Sequence, residues 1–172
     1  MAGLLVLLGL FSPVMSPAAD DGADRFRYDE QLGKCVNGRG EEGFNQPPSD
    51  LPKVRRDSEC IDFSGRVLMY VLVEGGNFRG ANFDKVQFRY LNTMMDADLT
   101  GARMRGVEGD QIELTGANLS GADLSAACLR PCGLPAIPTG ACLAGARFDA
   151  RTILPFSRDE ALARGMVPVG KP

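Results

Sequence analysis

Histidine is absent from this 172-residue chain, and no other feature of its composition excludes as much chemistry. Its absence removes the usual catalytic base and every nucleophilic triad built on imidazole. It also removes the commonest metal ligand. The five cysteines (Cys35, Cys60, Cys128, Cys132 and Cys142) contain no pair of Cys-x-x-Cys motifs, so neither a zinc site nor a bound cofactor is expected. No basic cluster of the kind that holds nucleic acid is present, and the net charge of −3 is mildly acidic. The longest apolar run, Leu4 to Phe11, is too short to span a bilayer. Gly38-Arg39-Gly40-Glu41-Glu42-Gly43 matches a dinucleotide-binding pattern by letters only. No clear strand precedes it, no helix follows it, and two carboxylates would face the phosphates. The acidic pairs Asp20/Asp21, Glu41/Glu42 and Asp159/Glu160 read as solvated surface. An enzyme is not expected.

The chain is rich instead in a period of five. Ala117-Asn118-Leu119-Ser120-Gly121 runs into Ala122-Asp123-Leu124-Ser125-Ala126, and Gly76-Asn77-Phe78-Arg79-Gly80 runs into Ala81-Asn82-Phe83-Asp84-Lys85. Each unit has a large apolar centre, a small residue two before it, and polar residues around them. A period of five fits neither a helix nor a plain strand. It fits a chain that turns a corner every five residues, with centre and small residue pointing inward. Such a fixed short period signals a stacked solenoid. Centres can be followed from Phe63 through Leu68, Val73, Phe78, Phe83 and Phe88 to Thr93, then from Leu99 to Leu134 and from Leu143 to Ile153. One extra residue is placed near Met94 to Ala97. A proline-rich insertion, Pro135 to Gly140, interrupts the later run. Thr93 and Gly109 are poor centres and predict local distortion of the coil.

These units resemble the pentapeptide-repeat family, whose pattern is Ala-Asp/Asn-Leu/Phe-polar-Gly, over a little more than half of the chain. The resemblance implies an all-β solenoid: a right-handed quadrilateral β-helix of about four coils, four pentads to the coil. Centres about twenty residues apart should then stack. The first column would hold Phe63, Phe83, Met104, Leu124 and Phe148, and the second Leu68, Phe88, Gly109, Leu129 and Ile153. The third would hold Val73, Thr93, Leu114 and Leu134, and the fourth Phe78, Leu99, Leu119 and Leu143. Thr152-Ile153-Leu154-Pro155 also resembles the ending of many members.

The flanks differ in composition. Residues 1–18, an apolar run followed by Ser16-Pro17-Ala18, read as a secretory signal, although no Lys or Arg precedes the run. Residues 19–60 read as a loop-rich N-terminal cap segment, 61–155 as the repeat solenoid, and 156–172 as a C-terminal capping helix and tail. Ser157 is the predicted N-cap, Glu160 completes a capping box, and Gly165 ends the helix.

A signal segment permits disulfides. Cys35 with Cys60 would tie the N-terminal segment to the first coil. Cys132 with Cys142 would close the insertion, with Cys128–Cys132 as the rival pairing; Cys128 is the expected free thiol. Val67, Met69, Tyr70, Leu72, Tyr90, Met94 and Met95 are expected to form an apolar patch on the first two coils, covered by the chain's own N-terminal segment. The sequence therefore points to an extracytoplasmic (periplasmic or secreted), non-enzymatic structural or protein-binding module. Its protein partner is unknown, no nucleic-acid partner or membrane span is expected, and it would be a monomer or weak oligomer. The alternative is a DNA-mimicking, topoisomerase-binding protein, against which the mixed surface charge and short rod count.

Overall fold

A computed structural model describes residues 22–47, 54, 56–109, 112–129, 143–154 and 156–169. The expected signal segment and the candidate pair Cys132 and Cys142, with the proline-rich insertion, lie outside the described residues.

Between residue 57 and residue 154 the chain repeatedly returns beside itself in parallel. Asp57 bridges Asn77, Asp62 bridges Asn82, and Asp98 bridges Asn118. Strand β3 (Val67–Met69) pairs with β4 (Gln87–Arg89), which pairs with β6 (Glu108–Gly109). Strand β5 (Asn92–Thr93) pairs with β7 (Ile112–Glu113). Each partner lies a coil further on, and the result is a β-helix-like stack of short rungs. Inside run the pentad centres, with Phe63 stacked on Phe83 at 5.1 Å between ring centroids. Burying each such side chain contributes roughly 1.5–3 kcal/mol.

The corners reveal the true register. Two residues after each centre the backbone is left-handed: Gly65, Tyr70, Gly75, Gly80, Lys85 and Tyr90 all have positive φ, at steps of five. The next is Asp96, six further on. The extra residue therefore precedes Met94 rather than following it. Met94, placed in the exposed patch by the sequence reading, is fully buried, and it replaces Thr93 as the centre of the third column. Val73 N–H donates to the Thr93 carbonyl, and Met94 N–H donates to that of Glu113, so Val73, Met94 and Leu114 stack.

Asn92 makes the longer corner possible. It occupies the inward position two before a centre, where most units have Ala or Val, and it is fully buried. Its Oδ1 accepts from Val71 N–H at 3.1 Å, and its Nδ2 donates to the carbonyls of Arg89 (3.0 Å) and Tyr90 (2.9 Å). The side chain thus satisfies backbone groups that the extra residue displaces.

Two more units differ from expectation. Leu129 N–H donates to the Ile153 carbonyl and Cys128 bridges Ile153. Ile153 is exposed, and Leu154 packs against the core in its place. At Gly109 the coil keeps its pairing, because Ile112 supplies the missing volume. A Cβ built on Gly109 would lie 2.8 Å from Ile112 Cγ2.

The N-terminal segment forms an antiparallel hairpin of β1 (Arg27–Asp29) and β2 (Lys34–Val36). At the other end, α1 (Arg158–Ala163) begins at Ser157, whose Oγ accepts from Glu160 N–H at 3.1 Å. The Glu160 carboxylate pairs with Arg164. Strand β9 (Val167–Pro168) then pairs with β8 (Arg147–Phe148), and Ala161 and Met166 join the core.

Candidate functional site

Two corners, half a coil apart, carry the features that a scaffold alone does not require. The first is filled. Cys60 has positive φ at a corner, followed a coil at a time by Gly80 and Gly101. A disulfide joins Cys60 to Cys35, and Cys35 Sγ also lies 3.3 Å from the Gly80 carbonyl. The Tyr28 ring lies flat along this corner. Any Cβ on Gly80 or Gly101 would overlap it, at 2.5 Å and 2.0 Å to its nearest atoms, so these positions need glycine for space as well as for φ. Arg79 sits over the Tyr28 ring and pairs with Glu30. Burial raises the Tyr28 pKa, with Arg79 opposing it. Asn45 completes the attachment. Its side chain accepts from Phe26 N–H, and its main chain bonds to Cys60 and Asp62.

The second corner is bare. It holds Tyr70 and Tyr90, whose rings stack at 5.3 Å and 3°. Tyr70 is 63% exposed, Leu72 65% and Tyr90 57%, with Val67 and Met69 exposed beside them. The described part of the N-terminal segment packs on the Gly80–Gly101 corner, and among the described residues none of that segment covers this patch. The patch also has a different outline from the one read in the sequence. Met94 belongs to the core and Met95 is half-buried, whereas Leu91, absent from the sequence reading, is exposed beside Tyr90. The signal for Leu91 was its place directly after a corner residue.

Both tyrosines hold left-handed backbone, with φ of 54° and 60°. Most corners of this solenoid place glycine there. A side chain in that conformation costs on the order of 1–3 kcal/mol, and ring stacking recovers about 0.5–1.5 kcal/mol. Tyrosine is therefore kept at two strained, solvent-facing positions that contribute nothing to the core. The surrounding charges are paired: Arg89 with Glu108, and further round the coil Arg103 and Arg105 with Asp84. Burial would raise the Asp84 pKa, but its bonds to Arg105 and the charge of Arg103 bring it below the ordinary carboxylate value.

Near the closed end, Asp149 forms a compact polar knot. Its Oδ1 accepts from the N–H groups of Ala126, Arg151 and Thr152 and from the Thr152 hydroxyl. Burial acts to raise its pKa, and these bonds together hold it well below the usual range. The knot closes a turn. Cys128 is a free thiol, half-buried. Among the described residues no cluster of His, Cys, Asp or Glu could hold a metal, and no helix is long and apolar enough to cross a membrane.

No curated protein matches this chain. The solved structure of a pentapeptide repeat protein from the Arabidopsis thaliana thylakoid lumen is 27% identical over 59% of this chain and 69% of that one, with a TM-score of 0.23. The model of the family Pentapeptide repeats matches residues 94–130, in eight copies. That match falls where corners, centres and parallel bridges keep the five-residue step, and residues 94–130 carry the repeats of that family.

Proposed function

We propose that this is an extracytoplasmic, non-enzymatic protein-binding module, which holds a protein partner against the bare corner of its first two coils. The observation that carries the reading is the pair of strained, stacked, exposed tyrosines, set among Val67, Met69, Leu72 and Leu91. Contiguous exposed apolar surface of this kind marks contact sites, and tyrosine is enriched at them. The Cys35–Cys60 disulfide supports an oxidising compartment, as does the expected signal over residues 1–18. Residues 19–60 act as the cap segment, 61–155 as a right-handed quadrilateral β-helix of about four coils, and 156–172 as the C-terminal cap. Against the topoisomerase-binding alternative counts the mixed charge of the described surface, where Arg is paired with Asp or Glu at several points round the coil.

A photo-crosslinking side chain at position 72 tests the reading in the cell that makes the protein. It should trap a discrete protein species in the extracytoplasmic fraction, lost when Tyr70 and Tyr90 are both changed to Gly. The same group at position 120, on another face, should trap none. Equal trapping at both positions would remove the basis for a specific partner site. Mass spectrometry of the mature N-terminus checks the compartment: an intact residue 1 would contradict it.

A further inference from the structure

The bare corner adjoins an unfinished sheet edge. Gln87 N–H donates to the Arg66 carbonyl and Gln87 lies opposite Val67, so Val67 turns its own N–H and C=O away from β4. Thr93 donates to the Val71 carbonyl and accepts from Val73 N–H, which turns the N–H and C=O of Leu72 away in the same sense. Among the described residues nothing pairs with these groups. On the same coil end Asp62 is covered, since its N–H donates to the Asn45 carbonyl. At the opposite end of the solenoid, β9 covers the edge of β8. Among the described residues, the half of the first coil that carries Val67, Met69, Tyr70 and Leu72 presents an uncovered edge whose side chains are apolar.

We infer that this rim takes an extended polypeptide segment as an additional parallel rung, with an aromatic side chain of that segment stacked on the outer face of Tyr70. The inference deepens the partner reading of the face and rests on it. The occupant follows from the groups presented. Outward N–H and C=O groups at strand spacing recognise another backbone, as in strand addition to a sheet edge. Exposed edges are ordinarily guarded by charge, proline or a covering loop. Here the side chains beside the edge are apolar, and the aromatic step is already established: Tyr90 stacks beneath Tyr70 one coil below. A rung above would repeat that relation.

The full chain, disulfide intact, is titrated into a fluorescein-labelled synthetic peptide of residues 84–95, the sequence that already pairs with β3 on its other side, and anisotropy is read. Saturable binding is expected. Val67→Pro removes the outward N–H from a strand whose edge tolerates proline, and should weaken binding at least tenfold. Tyr70→Gly, which suits the left-handed backbone, should weaken it at least fivefold, as should Tyr90→Ser within the peptide, a change that needs no refolding. Absence of saturable binding overturns the inference. So does equal affinity for the Tyr90→Ser peptide, or unchanged affinity in Val67→Pro protein of unchanged melting temperature. A dimer in sedimentation that Val67→Pro dissociates would make the occupant a second copy, and would overturn the foreign-segment assignment. Loss of specific crosslinking at position 72 with peptide binding and its Val67→Pro sensitivity intact would refute the partner reading alone. The reverse result would refute the added rung alone.

Discussion

Replacing Asn92 by Leu should be among the most damaging conservative-sized changes in the molecule. By composition the change looks favourable, since it places an aliphatic side chain at a fully buried site inside an apolar column. The hydrogen bonds say the opposite. Asn92 serves three backbone groups: the N–H of Val71 and the carbonyls of Arg89 and Tyr90. Each loses its partner on substitution, at roughly 1–3 kcal/mol for a buried polar group left unsatisfied. At the low end, three such groups lose about 3 kcal/mol, against roughly 1.5–3 kcal/mol gained only if the leucine buries fully without strain. The displaced backbone is a corner carrying one residue too many, with Tyr90 already at positive φ, so such a fit is not available. A net loss of about 2–3 kcal/mol is expected, or roughly 4–12 °C in melting temperature for a chain of this size. Urea unfolding followed by far-ultraviolet circular dichroism measures it. Asn92→Ala should lose at least as much. A leucine variant as stable as the parent would refute the claim that this asparagine holds the longer corner together.

Gly109 and Ile112 should be coupled in a double-mutant cycle. Gly109→Ala alone clashes with Ile112 and Ile112→Ala alone leaves a cavity costing about 2–5 kcal/mol, whereas the double variant should recover at least 1 kcal/mol relative to the sum of the two, read from denaturation midpoints. Replacing Cys35 and Cys60 together by serine should cost about 3 kcal/mol and speed hydrogen exchange at β1 and β2, with little change at the Tyr70 corner half a coil away. The depressed pKa of Asp149 means that its stabilisation is complete above the unfolded carboxylate value near pH 4 and is lost as pH falls through the lower folded value. Asp149→Asn should therefore lower the melting temperature at pH 7, and the difference from the parent should shrink as the solution is acidified below about pH 4.

The period was legible because five-residue spacing and inward size were both visible in the letters. The phase was not, because Thr93 and Met94 are adjacent and a count of centres accepts either. The residues that discriminate are those at the corners. Asp96 tolerates left-handed backbone and lies two after Met94, as Gly75 lies two after Val73 and Gly101 two after Leu99. Reading the corners as well as the centres would have placed the extra residue before Met94. Ile153 and Leu154 present the same ambiguity, and there the turn built on Asp149 decides it. The outline of the apolar patch was half visible, since exposure of Val67, Met69, Tyr70, Leu72 and Tyr90 follows from their positions. Which corner the N-terminal segment covers was beyond the letters. The choice depends on a flat surface at Gly80 and Gly101 that receives the Tyr28 ring, and glycines stand at several other corners too.

The tyrosine stack also has an optical consequence. The chain contains no tryptophan and three tyrosines, so its ultraviolet emission comes almost entirely from Tyr28, Tyr70 and Tyr90, which share the near-ultraviolet dichroism with the phenylalanines and the disulfide. Two of the three lie face to face at the bare corner, where their transition dipoles couple, and the third is packed against glycine under the hairpin. Anything that wedges between, covers or tilts the stacked pair will change the spectrum of the unlabelled protein, so occupancy of the corner can be followed without attaching a dye to it.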